Sequence, residues 1–96
     1  MIGKVHNQNG KIIFACCDKE LMDKTLKHGE IEIHLSKSFY GSEKITEKGF
    51  LEQINNCDCA NVFGNRACDV LLKKKIITKG QIIHIDKIAH TQIYKI

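Results

Sequence analysis

Residues 2–16 read IGKVHNQNGKIIFAC, a pattern that predicts a β-hairpin at the start of the chain. Two apolar-rich runs, 2–6 and 11–16, flank the tetrapeptide Asn7-Gln8-Asn9-Gly10. Asn-Gly is the strongest short-range hairpin signal, because both residues tolerate the positive φ of a tight turn. The chain is therefore expected to open with two antiparallel strands.

The segment after the hairpin predicts one helix and one strand. Asp18 is placed to cap a helix over 18–27, and Gly29 stands where a left-handed residue ends such a helix. Residues 30–35, EIEIHL, alternate strictly, which predicts a strand with its apolar side chains facing inward. Residues 36–43, SKSFYGSE, follow as a loop.

The second half of the chain predicts two helices and two strands. Thr46 is a candidate N-cap for the next helix, and residues 57–63 fit either a loop or a short strand. Apolar residues at helical spacing predict a helix over 64–75, and two strands over 82–85 and 89–96 follow. The order ββαβααββ indicates an α+β fold, with a mostly antiparallel sheet and two or three helices packed on one face.

Composition limits the class of protein. A chain of 96 residues predicts a single domain over 1–96, and 43% hydrophobic with 27% charged residues is usual for a globular protein. The apolar runs are short and the N-terminus lacks a signal peptide, so no membrane association is expected. Five cysteines, an odd number, indicate free thiols in a reducing cytoplasm. The net charge of +4 permits an anionic partner.

The segment 61–67, NVFGNRA, is the first candidate binding site and contains Arg66, the only arginine. Gly64 before a helix allows a ligand to approach the backbone, and the first helical turn offers free N–H groups. With Arg66 and the amides of Asn61 and Asn65, this segment would suit a phosphate or carboxylate. The same residues also fit a plain loop-to-helix junction, in which Arg66 pairs with an internal acid such as Asp69 or Glu52.

Two further segments carry candidate site residues. Phe39 and Tyr40, followed by Gly41, would offer a stacking platform or a protein anchor; alternatively, Phe39 fills the core and Tyr40 bonds at its rim. His90 and Gln92 share one face of a predicted strand. His90 is the candidate acid–base residue, although this face also fits an ordinary solvent-facing side.

The cysteines do not predict a metal site or a cofactor. Cys57 and Cys59 are separated by one residue, whereas structural zinc sites use pairs separated by two to four residues. Neither Cys68 nor a histidine such as His84 corrects that spacing. We therefore expect no metal and no cofactor, and we expect buried thiols at positions 16–17.

Three motifs together resemble a known family. SFYG at 38–41, NVFGNRA at 61–67 and IAHTQI at 88–93 occur in the order and at the spacing of a small archaeal family, domain of unknown function number 424. The opening hairpin and the alternating strand at 30–35 fit as well, so the resemblance covers nearly the whole chain. It implies a small archaeal α/β protein of the cytoplasm and no particular activity.

These observations lead to one expected function and two alternatives. We expect a non-enzymatic binding module whose partner is RNA or a ribonucleoprotein of translation or RNA processing. The first alternative is an enzyme for a small anionic substrate, with Arg66 holding the anion and His90 moving a proton. The second is a protein-interaction adaptor that uses the Phe39-Tyr40 loop.

Overall fold

The computed structural model describes residues 1–95 and shows the α+β fold that the sequence predicts. Seven strands and three helices lie within these residues. The strands are β1 (Ile2–Gln8), β2 (Lys11–Cys17), β3 (Thr25–His28), β4 (Ile31–His34), β5 (Cys59–Phe63), β6 (Ile83–Ile85) and β7 (Ile88–Tyr94). The helices are α1 (Lys37–Tyr40), α2 (Glu47–Asn56) and α3 (Asn65–Lys73). No helix in this part of the chain is long and apolar enough to cross a membrane.

Five strands form the central sheet in the order β1-β2-β5-β7-β6, while β3 and β4 form a separate two-stranded sheet. Neighbouring strands are antiparallel except β2 and β5, which run parallel. A parallel pair requires a crossover, and here the chain between Cys17 and Cys59 supplies it with β3, β4, α1 and α2. The stretch 57–63, which the sequence left between loop and strand, thus contains a central strand.

Both hairpins of the central sheet close through two-residue turns. Asn9 and Gly10 have φ values of 53° and 81°, and Asp86 and Lys87 have φ values of 51° and 65°. Positive φ at both turn residues matches the twist of antiparallel strands. The predicted opening hairpin is confirmed, and the turn at Asp86-Lys87 joins the strands predicted over 82–85 and 89–96.

The helix predicted over 18–27 is wrong. Only a short 3₁₀ turn, Lys19–Leu21, forms there, and the segment continues into β3, which pairs with β4. The reason is tertiary: Leu26 packs under the sheet from a strand, and Asp18 is engaged elsewhere in the fold. Residues 30–35 do contain a strand, but Ile31, expected to face inward, is 55% exposed.

The two faces of the central sheet are covered differently. Side chains alternate along β2, so Phe14 and Cys16 face α2 and α3, and Ala15 and Cys17 face the other way. Helices α2 and α3 cover the first face. Helix α1 and the β3–β4 sheet cover part of the second face, where Tyr40 is buried. The predicted placement of helices on one face holds for α2 and α3, and α1 lies opposite them.

The two longer helices begin where the sequence predicts. The Thr46 hydroxyl oxygen accepts a hydrogen bond from the Gly49 N–H at 3.0 Å, which caps α2. Helix α3 starts immediately after Gly64 and ends at Lys73, two residues before the predicted end. Residues 36–43 were predicted to be a loop, but the short helix α1 forms within them and Ser36 caps its start.

Candidate functional site

The N-terminus of α3 is occupied by a carboxylate from the same chain. Asp18 is 4% exposed, and its two oxygens accept hydrogen bonds from the backbone N–H groups of Arg66 and Ala67, each at 3.0 Å. These groups lie in the first turn, where the helix dipole favours a negative charge. The N–H groups predicted to hold an external anion thus already hold Asp18.

Gly64 makes this internal contact possible. A Cβ atom at this position would lie 2.3 Å from Cγ of Asp18, and the residue has a φ of 129°, which side-chain-bearing residues rarely adopt. The Gly64 N–H donates to the Ala89 carbonyl, and the Ala89 N–H donates to Oδ1 of Asn65, each at 2.8 Å. Gly64 and Asn65 therefore fasten the start of α3 to β7.

Arg66 makes an exposed contact. Its Nη2 atom lies 3.4 Å from Oε1 of Glu20, and its side chain is 78% exposed. The predicted internal partners were Asp69 and Glu52, but Asp69 instead pairs with Lys73 at 3.0 Å, one helical turn away. An exposed pair of this kind contributes at most about 1 kcal/mol. The contact joins the first turn of α3 to the short 3₁₀ turn Lys19–Leu21.

A row of aromatic rings connects α1 to the central sheet. The rings of Phe39 and His6 stack with centroids 4.9 Å apart, and Phe39 meets Tyr40 edge-on at 5.0 Å. Tyr40 meets Phe63 edge-on at 6.2 Å, and Phe63 stacks on His90 at 3.8 Å. Such aromatic pairs stabilise the folded state by more than the burial of their surface alone would. The row ties three of the predicted site residues into one structure.

Of the two aromatic residues of α1, Tyr40 is buried and Phe39 is half-buried, the reverse of the arrangement considered from sequence. The Tyr40 hydroxyl donates to Oδ1 of Asn61 at 2.7 Å. Burial raises the pKa of Tyr40 well above its ordinary value, so the hydroxyl stays a donor. Gly41 ends α1 with a φ of 78° and passes close to Lys4. The aromatic segment is thus anchored to the sheet.

His90 is held in one orientation and one tautomer. Its Nδ1 atom lies 2.9 Å from the Val62 carbonyl oxygen, and since a carbonyl only accepts, Nδ1 carries the proton and donates. The ring is 7% exposed and lies nearly parallel to Phe63. Burial lowers the pKa of His90, although the bond to Val62 opposes that effect. At neutral pH the ring is uncharged, with Nε2 as a hydrogen-bond acceptor.

Part of the second sheet face remains uncovered. The register places His6, Ile13, Cys59 and Tyr94 in one row across four strands, and Asn61 and Gln92 side by side in the next row. Tyr94 is 72% exposed, Gln92 is exposed, and the other side chains are half-buried. We call this surface the open face; it consists of His6, Ile13, Cys59, Asn61, Gln92 and Tyr94.

The open face carries no acidic side chain and has lysines at its border. The strand residues that alternate to this side of the central sheet include Lys4 and Lys11 and no aspartate or glutamate within residues 1–95. Asp58, beside it, uses its carboxylate to accept the Ile12 N–H at 2.7 Å. Next to Tyr94, a depression of about 240 Å³ is lined by residues of β6, β7 and the preceding turn: Gln81, Ile83, His90, Thr91, Gln92 and Tyr94.

The five cysteines are free thiols, and four of them are buried. Burial raises the pKa of Cys17 to about 11 and that of Cys68 to about 12, and it raises the pKa of Cys16 further. Cys59 is half-buried, whereas the other four cysteines are buried. In the described part of the chain, no group of three or more His, Cys, Asp or Glu residues is arranged to hold a metal ion. Cys59 is thus the thiol that a reagent reaches most easily.

The structure brings together five of the nine predicted site residues. Asn61 and Gln92 form the middle of the open face, with Phe39, Tyr40 and His90 beside it. The other four lie away from this surface, at the end of α1 or at the start of α3: Gly41, Gly64, Asn65 and Arg66.

Sequence reasoning did not find four residues of the open face: His6, Ile13, Cys59 and Tyr94. Strand alternation was the available signal for Tyr94, because it follows His90 and Gln92 at spacing two on the same face. No comparable signal existed for Ile13 and Cys59, whose neighbourhood depends on a parallel pairing that spans the crossover.

Comparisons with known proteins identify the family and the fold. The structure is similar to the crystal structure of an uncharacterized conserved protein from Methanopyrus kandleri, with a TM-score of 0.80 and 22% sequence identity over 97% of this chain and 89% of that one. No curated protein matches the sequence. Residues 6–96 match the family described as protein of unknown function (DUF424). The chain therefore belongs to that family, as its three motifs suggested.

Proposed function

We propose that this protein is a binding module for single-stranded RNA and that the RNA lies on the open face. Tyr94 carries the proposal: its ring is 72% exposed on a sheet surface, diagonally across from Asn61 and beside Gln92. Exposed aromatic rings on sheets stack with unpaired bases, and neighbouring amides hydrogen-bond to base edges. A large exposed aromatic next to two amides fits that chemistry.

The charge around the open face supports an anionic polymer as the ligand. Lys4 and Lys11 border the face on β1 and β2, and the chain carries a net charge of +4. Lysines at this border would contact phosphates while the neutral centre contacts bases. Binding of this kind weakens as salt rises, because each contacted phosphate releases counterions.

The expected biological setting follows from the same features. A single-stranded segment within a ribonucleoprotein of translation or RNA processing would present unpaired bases to the open face. The five free cysteines are compatible with a reducing compartment such as the cytoplasm. Neither a cofactor nor a metal is part of the proposed binding.

The two alternatives receive less support from the geometry. An adaptor would need both aromatic residues of α1 at the surface, but Tyr40 is buried and Phe39 is half-buried. An enzyme would need His90 and Arg66 at one cavity. The two residues line separate depressions. Arg66 lines one together with Glu47 and the end of α3, and His90 lines another together with Tyr94.

The test is fluorescence anisotropy with labelled single-stranded RNA of about 12 nucleotides, within the usual length for such surfaces. Tyr94→Ala is compared with wild type and with Ile31→Ala, which truncates another exposed residue away from the open face. We expect Tyr94→Ala to bind about tenfold more weakly, since stacking contributes about 1–3 kcal/mol per base. Ile31→Ala should match wild type.

Two results would oppose the proposal. Failure of the wild type to bind the labelled single-stranded RNA at low salt would refute the proposal. Equal affinities of Tyr94→Ala and wild type would refute it as well. A protein that co-purifies with wild type and is lost with Tyr94→Ala, while RNA does not bind, would reassign the open face to a protein partner. A duplex RNA of the same length provides the control for strandedness.

A further inference from the structure

The ring of His90 has one nitrogen committed to the fold, and the residue lines a ligand-sized depression. Nδ1 donates to the Val62 carbonyl oxygen, and Nε2 makes no hydrogen bond to another group of residues 1–95. Because every buried side-chain nitrogen or oxygen in these residues has a partner, the unpaired Nε2 is accessible to solvent. The side chain is more than nine-tenths buried, and the stack on Phe63 at 3.8 Å restricts rotation of the ring. The free nitrogen thus belongs to a rigid group.

The space beside His90 is a continuation of the open face. The depression of about 240 Å³ is lined by His90 together with Gln92 and Tyr94, which are open-face residues, and with Ile83, which is 57% exposed. Register explains this arrangement, since Ile83 lies opposite His90 and Gln92 follows His90 at spacing two. A group stacked on Tyr94 would lie close to this depression.

We propose that the depression beside His90 receives a neutral hydrogen-bond donor of the nucleotide, either a base N–H or the ribose 2′-hydroxyl, on Nε2 of His90. This inference rests on the proposed binding of RNA. It assigns His90 the role of a specificity-determining residue instead of the acid–base role considered from sequence.

A phosphate does not fit this position. Phosphate oxygens only accept hydrogen bonds, and an uncharged imidazole with its proton on Nδ1 presents only an acceptor at Nε2. Base N–H groups and the 2′-hydroxyl are the neutral donors of a nucleotide. The phosphates are therefore expected to follow the lysine border, and the base or sugar is expected to enter the depression.

The experiment measures affinities for three single-stranded probes of about 12 nucleotides: oligoadenylate RNA, the DNA of the same sequence, and RNA with N6,N6-dimethyladenine. The DNA lacks the 2′-hydroxyl, and the dimethylated base lacks the only N–H donors of adenine. Each probe is titrated against wild type, His90→Asn and His84→Asn. Asparagine retains a donor for the Val62 carbonyl but removes the distant acceptor, and His84 lies on the opposite side of β6.

One of the two altered probes should bind wild type about three- to tenfold more weakly, which corresponds to one neutral hydrogen bond. With His90→Asn, that probe should bind as tightly as oligoadenylate RNA does, because the acceptor is already absent. With His84→Asn, it should still bind more weakly than oligoadenylate RNA. The DNA probe would identify the sugar as the donor, and the dimethylated probe would identify the base.

Equal losses in wild type and His90→Asn with both altered probes would overturn this inference while the proposed function stands. Absence of RNA binding by wild type would instead remove the proposed function and this inference with it. Circular dichroism and thermal unfolding confirm that each variant is folded. If His90→Asn is unfolded, His90→Ala is titrated in its place, since alanine also lacks the distant acceptor, and the same equal losses would overturn the inference.

Discussion

Replacing Asp18 should destabilise the protein more than its sequence position suggests. The residue precedes a short 3₁₀ turn and looks like an ordinary cap, but it is buried and holds two backbone N–H groups of α3. In Asp18→Ala both N–H groups lose their partner. In Asp18→Asn the side-chain volume is kept, but only one of the two terminal atoms accepts a hydrogen bond.

The magnitude follows from these two bonds. A hydrogen bond to a charged group contributes about 1.5–3 kcal/mol to stability. Asp18→Asn loses one such bond and the favourable interaction with the helix dipole, so a cost of about 2–3 kcal/mol is expected. Asp18→Ala loses both bonds, with an expected cost of about 3–5 kcal/mol. For a domain of this size, each kcal/mol lowers Tm by about 4–8 °C.

Urea unfolding followed by far-UV circular dichroism measures these costs, since the chain has no tryptophan. Glu20→Gln is the matched control, because Glu20 is an exposed acid two residues away and should change stability by less than about 0.5 kcal/mol. Gly64→Ala should resemble Asp18→Ala, since its methyl group would occupy the place of the carboxylate. The reasoning would be refuted if Asp18→Ala and Glu20→Gln had the same free energy of unfolding.

Three further outcomes are expected. Burial lowers the pKa of His90 below its ordinary 6.5, so the unfolded state takes up a proton before the folded state does as the pH falls. The free energy of unfolding should therefore be highest above about pH 6.5 and decrease between that pH and the lower pKa of the folded state. Thermal scans at several pH values would show this decrease, and it should be smaller in His90→Asn. Tyr40→Phe removes the bond to Asn61 and should lower Tm by about 4–8 °C, or about 1 kcal/mol; an unchanged Tm would mean that this bond adds nothing. Alkylation of the native protein should modify Cys59 before the other cysteines, and bound single-stranded RNA should slow the alkylation of Cys59. Earlier modification of another cysteine, or an unchanged rate in the presence of RNA, would oppose this expectation.

Local signals predicted the elements that local chemistry controls. Asn9-Gly10 predicted the first hairpin, and Thr46 predicted the start of α2, because a turn or a cap depends on a few adjacent residues. The helix predicted at 18–27 failed because its capping signal belongs to a contact between residues distant in the sequence. Asp18 bonds to Arg66 and Ala67, almost fifty positions away.

The difference between local signals and long-range contacts also explains which site residues could be predicted from the sequence. Asn61, His90 and Gln92 were found because they occupy polar positions in short motifs, and the antiparallel pairing of β5 with β7 places them together. The sequence left the role of the glycine in NVFGNRA open, because an external anion and an internal carboxylate need the same free N–H groups. Only the fold shows that Asp18 reaches them first.

The most direct test of the account is a titration of isotopically labelled protein with single-stranded oligoadenylate RNA, followed by two-dimensional amide NMR. The account predicts the largest chemical-shift changes at the open face and its border, centred on Asn61, Gln92 and Tyr94, with small changes at Arg66 and along α3. Changes concentrated at Arg66 and the start of α3, with a silent open face, would contradict it.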